Sequence, residues 1–304
     1  MNFSPILREI RSDSSLNPYW LDVWQFVEYL KTTERSSFLT HGVVNDGDTW
    51  QPIRKEIEYV HRFTTTYRKS ILSKFYQLED WHNENPSPIT MLSLTTYQEG
   101  SYSRSVKGKD VTIPESFELL KTSWYYLSHA IRYYLPDVPW VWIMEPHKSG
   151  YPHYHVVLFS DVDRGTQAAL KHLWSKKYQA GSIDYGADFT VSKPEQSIKS
   201  IRNYIMKYVA KGFVSTGSKF GEEDTWTAGQ LVFYALVRKY GWRLFDASRD
   251  LRKVMACKDK PDDRIVWYAT QLLIPEQDPY TVWCREGAEE MLESVLPIRG
   301  SENP

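Results

Sequence analysis

The sequence predicts an α+β protein built around an antiparallel sheet. Three observations predict it. Apolar, β-rich runs at 89–96, 140–145 and 153–159 read as strands. Stretches with helical spacing of apolar residues separate them. Between about 89 and 211 the order is strand, helix, strand, strand, helix, strand, helix, which folds back into one antiparallel sheet with helices packed beside it.

The elements follow in order. The first 85 residues read as mostly helical: 21–30 has helical spacing, and so does 52–82, with Pro52 as a first-turn residue. Asn83-Glu84-Asn85-Pro86-Ser87-Pro88 breaks the pattern and marks a boundary. A Thr-rich strand follows at 89–96. Pro114-Glu115-Ser116 opens a helix reaching about Leu135, and Pro136-Asp137-Val138-Pro139 stops it. The runs 140–145 and 153–159 are joined by His147-Lys148-Ser149-Gly150-Tyr151-Pro152, which has turn chemistry. A helix over 166–179, a short strand near 189–191 and a helix from Pro194 to Lys211 complete the core, with Gly212 as the helix stop. A polar loop (215–223), a helix over 226–239 and further helical pieces lead to an acidic tail. The expected organisation is a helical N-terminal region (1–85), a core (86–213) and a mostly helical C-terminal region (214–304). No internal repeat occurs, and no GxxxxGK[ST] sequence points to an ATPase.

With 304 residues, 41% apolar and 25% charged, the composition is globular. No apolar run approaches the roughly 18–20 residues of a membrane span, and the N-terminus lacks a secretory pattern. Cys257 and Cys284 stand apart without CxxC spacing, as expected of reduced thiols in a cytoplasmic protein. Net charge is −1, but its distribution is uneven. Residues 164–212 hold nine basic against three acidic residues, a local +6, whereas 276–304 hold two against seven, a local −5. A basic region of this kind suits a polyanion, although it also suits a solvated helix face.

Two constellations carry chemistry. His153 and His155 lie one residue apart in a strand and therefore point to the same face. A histidine pair on a strand is more often incidental than a ligand pair. Glu145, at the end of the preceding strand, changes that balance, because a hairpin brings its carboxylate beside the imidazoles. Two imidazoles and one carboxylate leave coordination positions open, the pattern of a catalytic metal site. The mixed N/O set suits Mn²⁺ or Mg²⁺, and imidazole also suits Zn²⁺.

The second constellation is the helix over 194–211. At 100° per residue, Tyr204, Lys207, Tyr208 and Lys211 form one stripe, and Ile198, Ile201, Ile205 and Val209 form another. Core packing explains most tyrosine pairs at i, i+4, but the interleaved lysines make it awkward here. The alternative is a tyrosine nucleophile. A phenol with a pKa near 10 needs a strong electrophile, such as a metal-bound phosphate.

The strand Thr90-Met91-Leu92-Ser93-Leu94-Thr95, then Glu145 with His153-Tyr154-His155, then Tyr204-xx-Lys207-Tyr208-xx-Lys211 occur in the order of the three motifs of HUH endonucleases. More narrowly, the chain resembles two-tyrosine rolling-circle replication initiators, such as the gene A proteins of small single-stranded DNA phages and the Rep proteins of archaeal plasmids and viruses. The resemblance spans about 88–213. It implies a ferredoxin-like antiparallel sheet with flanking helices and the histidine strand near its centre. It implies that His153 and His155, with Glu145 as third ligand, bind a divalent metal, Mg²⁺ or Mn²⁺. It further implies that Tyr204 or Tyr208 attacks the scissile phosphate of single-stranded origin DNA, leaving a 5′-phosphotyrosine link and a 3′-OH that primes a host polymerase, with a host helicase as a further partner. Lys207, and Lys211 for the second tyrosine, would support the chemistry. Ser93 and Thr95 receive no catalytic role. Rival readings are a two-tyrosine transposase or relaxase on the same core, a nuclease-inactive DNA-binding protein, and an α+β protein with a chance histidine pair.

Overall fold

The computed structural model describes residues 3–33, 37–45, 47, 49–58, 63, 65–97, 111–182, 184, 186–191, 226–256, 265–273 and 280–283. In chain order its elements are α1 (Ser4–Ser12), α2 (Trp20–Thr33), β1 (Ser37–Asn45), β2 (Trp50–Glu58), α3 (Thr65–Glu84), β3 (Thr90–Thr95), α4 (Ile113–Tyr134), β4 (Trp140–Pro146), β5 (Pro152–Leu158), α5 (Arg164–His172), β6 (Ala187–Val191), α6 (Ala228–Tyr240), β7 (Phe245–Ala247), α7 (Arg249–Val254), β8 (Ile265–Leu273) and β9 (Tyr280–Trp283). The chain divides into two compact units. One comprises Met1–Val27 and Thr65–Ala256, the other Glu28–Thr64 and Cys257–Pro304. Among the described residues no helix is long and apolar enough to cross a membrane.

The first unit holds a five-stranded sheet in the order β6-β3-β5-β4-β7, every pairing antiparallel. Four of its strands, with α4 and α5, run strand, helix, strand, strand, helix, strand. Their spatial order places β5 between β3 and β4, the ferredoxin-like arrangement of two interleaved βαβ units. The fold is therefore α+β, with the histidine strand at the centre of the sheet.

Local sequence explains these elements. Thr112 and Glu115 form a reciprocal cap at the start of α4, each side chain accepting from the other residue's backbone N–H. Asp163 caps α5 by accepting from the Thr166 N–H at 3.0 Å. After α5 the helix widens into one π turn, Leu173–Lys177, so the stretch expected as a single helix over 166–179 is an α-helix with a different last turn.

Strand alternation separates the two sheet faces. Trp140, Trp142, Met144, Tyr154 and Val156 share one face by register. α4 covers it: Trp124 stands edge-on to Trp140 at 5.2 Å and to Tyr154 at 6.1 Å, and Trp142 stacks on Tyr154 at 4.4 Å. The opposite face carries Glu145, His153, His155 and Ile143, with Phe245 beside Ile143. α3 reaches this face through Phe75, which packs on Phe245 at 6.1 Å.

The hairpin β4–β5 is held at its turn. Gly150 adopts φ +92°, and a Cβ there would lie 2.5 Å from the Gly229 carbonyl oxygen on α6. Thr227, the cap of α6, donates to the Lys148 carbonyl at 2.8 Å. A Cβ on Gly229 would overlap the Ser149 carbonyl carbon. Glycine in a helix is ordinarily worse than alanine, but here that sign reverses. Gly229→Ala is expected to destabilise the fold by about 1–3 kcal/mol through overpacking against backbone, measurable by urea denaturation; a gain in stability would show that the turn yields.

The second unit is built on a four-stranded antiparallel sheet, β2-β1-β8-β9. Here the structure corrects the sequence reading. The N-terminal region is not uniformly helical: 37–58 is a β-hairpin, and the helix expected over 52–82 begins only at Thr65. Pro52 pairs with Val43 on β2, an edge strand, where a missing N–H is tolerated. Ile53 and Ile57 misled the reading because a spacing of four keeps side chains on one face in a helix and in a strand alike. The overlooked signal was the turn: Asn45 Oδ1 accepts from the Gly47 N–H at 2.9 Å, and Gly47 takes φ +107°. The C-terminal region is likewise mixed. α6 matches the helix expected over 226–239, whereas 265–273 and 280–283 are strands, a β-branched and aromatic run that outweighs helical spacing.

Candidate metal centre

The centre is assembled by one hairpin. In the β4–β5 pairing Glu145 stands directly opposite His153, and His155 follows two residues along the same face. All three are set by strand register, so no loop conformation has to be specified. Their ligating atoms lie within 4.8 Å of one another. His153 Nε2 and His155 Nε2 are 2.9 Å apart, and Glu145 Oε2 lies 3.2 Å from His155 Nε2 and 3.6 Å from His153 Nε2.

Burial sets the electrostatics. Glu145 and His155 are buried and His153 nearly so. Burial by itself pushes the Glu145 carboxyl up, but hydrogen bonds from His153 and His155 more than reverse this and bring it down to about 2. Burial lowers the pKa of His153, which favours the neutral imidazole. An ionised carboxylate beside neutral imidazoles is the form that coordinates a cation. The donor set fits a divalent metal on chemical grounds: mixed nitrogen and oxygen ligands, converging from one side, with further coordination positions left for water or a substrate oxygen.

One residue escaped the sequence reading. Ser93 on β3 stands opposite His155 on β5, and its Oγ lies 3.2 Å from His155 Nδ1. When Nδ1–H donates to Ser93 Oγ, the Nε2 lone pair faces Glu145 and His153. A metal-ligating histidine is commonly oriented this way by a partner on its other nitrogen. The Thr-rich strand reads as core, so only the register reveals this contact. By contrast, His153 Nδ1 is buried and finds no hydrogen-bond partner among the described residues; its ring meets His147 edge-on at 5.4 Å. Ser93→Ala is expected to weaken Mn²⁺ binding by about 10–100-fold with little change in melting temperature. Isothermal titration checks this, and unchanged affinity would show that Ser93 does not fix the tautomer.

Tyr204, Lys207, Tyr208 and Lys211, and with them the helix expected over 194–211, lie outside the described residues. The structure thus brings together Glu145, His153 and His155 and adds Ser93.

Residues 90–213 match the family model described as replication-associated protein ORF2/gene 2 protein. The matched span begins at β3, takes in all three ligand candidates and Ser93, and runs past β6. It supports a relationship to replication-associated (Rep) proteins. No curated protein and no solved structure gives a significant match.

Proposed function

We propose that this protein is a rolling-circle replication initiator of the HUH type, which nicks and rejoins single-stranded origin DNA. The observation that carries the reading is the convergence of Glu145, His153 and His155 within the span that matches the replication-associated family. The core is taken as 86–213, flanked by 1–85 and 214–304.

Glu145, His153 and His155 would hold Mg²⁺ or Mn²⁺, and Ser93 would keep His155 turned toward it. A divalent ion in this position polarises a phosphate oxygen and withdraws charge from phosphorus. Tyr204 or Tyr208 supplies the nucleophile. Its phenolic oxygen forms a bond to phosphorus, the bond from phosphorus to the 3′-oxygen breaks, and the phenolic proton passes by way of solvent to that oxygen. The products are a 5′-phosphotyrosine link and a free 3′-OH for a host polymerase. The second tyrosine repeats the step on the regenerated origin, and the released 3′-OH closes the displaced strand. Lys207 and Lys211, each three residues beyond a tyrosine, offset the developing negative charge. One phosphodiester replaces another throughout, so no nucleotide hydrolysis is required.

Incubation of the full chain with origin single strands and Mn²⁺, followed by peptide mapping of the covalent adduct, tests the reading. A phosphotyrosyl peptide containing Tyr204 or Tyr208 is expected. An adduct on another residue, or cleavage with no adduct, would sink the assignment.

A further inference from the structure

The outer face of α4 carries a row of exposed aromatic rings that the chemistry above does not use. The inner face of this helix is Leu120, Trp124, Leu127 and Ile131, all buried against the sheet face opposite the histidines. On the other side, Tyr125, Tyr126, His129, Arg132 and Tyr133 fall within about 120° of helical arc. Tyr133 is 80% exposed, Tyr125 60% and Tyr126 52%. The rings support one another: Tyr125 is edge-on to His129 at 4.7 Å and to Tyr126 at 5.4 Å. The row continues onto the turn after α5, where Tyr178 stacks on Tyr126 at 5.8 Å and Lys177 Nζ sits 5.9 Å over the Tyr178 ring. Lys176 and Lys177 are exposed, and no acidic residue occurs from 125 to 134 or from 164 to 183.

Exposed rings interleaved with cations over such a stretch are unusual on a surface with no partner. A protein interface favours tyrosine and arginine, but it depletes lysine and ordinarily includes aliphatic groups; the outward stripe from Tyr125 to Tyr133 has none. Single-stranded nucleic acid fits better, because its bases stack on aromatic rings and its phosphates are neutralised by lysine. From Tyr125 to Tyr133 the helix rises about 12 Å, the length of roughly three to four stacked nucleotides at about 3.4 Å each. We propose that the outer face of α4, with the Lys176–Tyr178 turn, is a second binding surface that holds single-stranded nucleic acid by base stacking, on the side of the sheet away from the metal centre. The proposal needs neither the metal nor the nicking reaction.

The test is fluorescence anisotropy with the full chain and a labelled oligothymidylate in EDTA. The triple variant Tyr125→Ala, Tyr126→Ala, Tyr133→Ala is expected to bind at least about tenfold more weakly, and the corresponding triple Phe variant within about twofold of wild type. Tyr133→Ala alone, at a site too exposed to affect folding, is expected to shift binding in the same direction. Lys176→Ser with Lys177→Ser is expected to flatten the salt dependence by about 0.7 per lost phosphate contact. A double variant His153→Ala, His155→Ala is expected to keep full binding in EDTA, which separates this surface from the metal centre. Wild-type affinity in the tyrosine variants would overturn the proposal. So would loss of binding in the histidine variant alone, equal loss in the Phe variant, or duplex DNA competing as well as single strands.

Discussion

His153→Ala is expected to lower divalent-metal affinity by more than about 100-fold, beyond the range seen when an outer-shell partner is lost. Three donors are the whole protein contribution at this centre among the described residues, so removing one leaves an imidazole and a carboxylate. Glu145→Gln is expected to act in the same direction, because an amide oxygen cannot replace a buried carboxylate beside two neutral imidazoles. Mn²⁺ titration followed by electron paramagnetic resonance reads both variants. Wild-type affinity in either would remove the metal assignment.

The metal-free protein carries a linked pH dependence. The folded Glu145 carboxyl titrates at about 2, well below its usual 4.5, so its contribution to stability is present above about pH 4.5 and is lost as pH falls toward 2. His153 has a lowered pKa in the fold, so the unfolded chain takes up that proton first, and acidification below its ordinary 6.5 weakens the fold in the same direction. Urea denaturation in EDTA across this range is expected to show falling stability with falling pH.

The second large effect concerns the nucleophile. The double variant Tyr204→Phe, Tyr208→Phe is expected to form no covalent DNA adduct while binding Mn²⁺ as the wild type does. Phenylalanine keeps the ring and removes the only oxygen able to attack phosphorus, and catalysis through a lost nucleophile typically falls by several orders of magnitude. Each single variant separates the two steps: the tyrosine needed first abolishes nicking, whereas the other leaves nicking intact and blocks the joining turnover. A covalent adduct in the double variant would refute the assignment.

How much of this was legible in the sequence differs by element. The β4–β5 hairpin was legible in full, since two apolar runs around a turn fix the register that sets Glu145 against His153. The central position of β5 followed from the motif order, and the sheet order agrees. The hairpin at 37–58 was not legible from periodicity, because Ile53 and Ile57 satisfy two periods at once; Asn45 and Gly47 held the information instead. Ser93 was hidden for another reason. Its contact with His155 depends on how two strands 62 residues apart align, and no local pattern encodes that alignment. The exposed tyrosines of α4 were visible only as composition until the inner face of the helix was known.

The span from Glu145 to His155 also bears on how the chain folds. All three ligand candidates come from consecutive strands joined by a short turn, so little loop entropy is lost in gathering them. β-Hairpins close in about 1–10 μs, whereas β3 and β7 must be recruited from distant parts of the chain. A coordinating ion can therefore act as a clasp on the nascent hairpin, selecting the one strand alignment that faces all three donors the same way. In refolding experiments, metal uptake is expected to precede completion of the sheet.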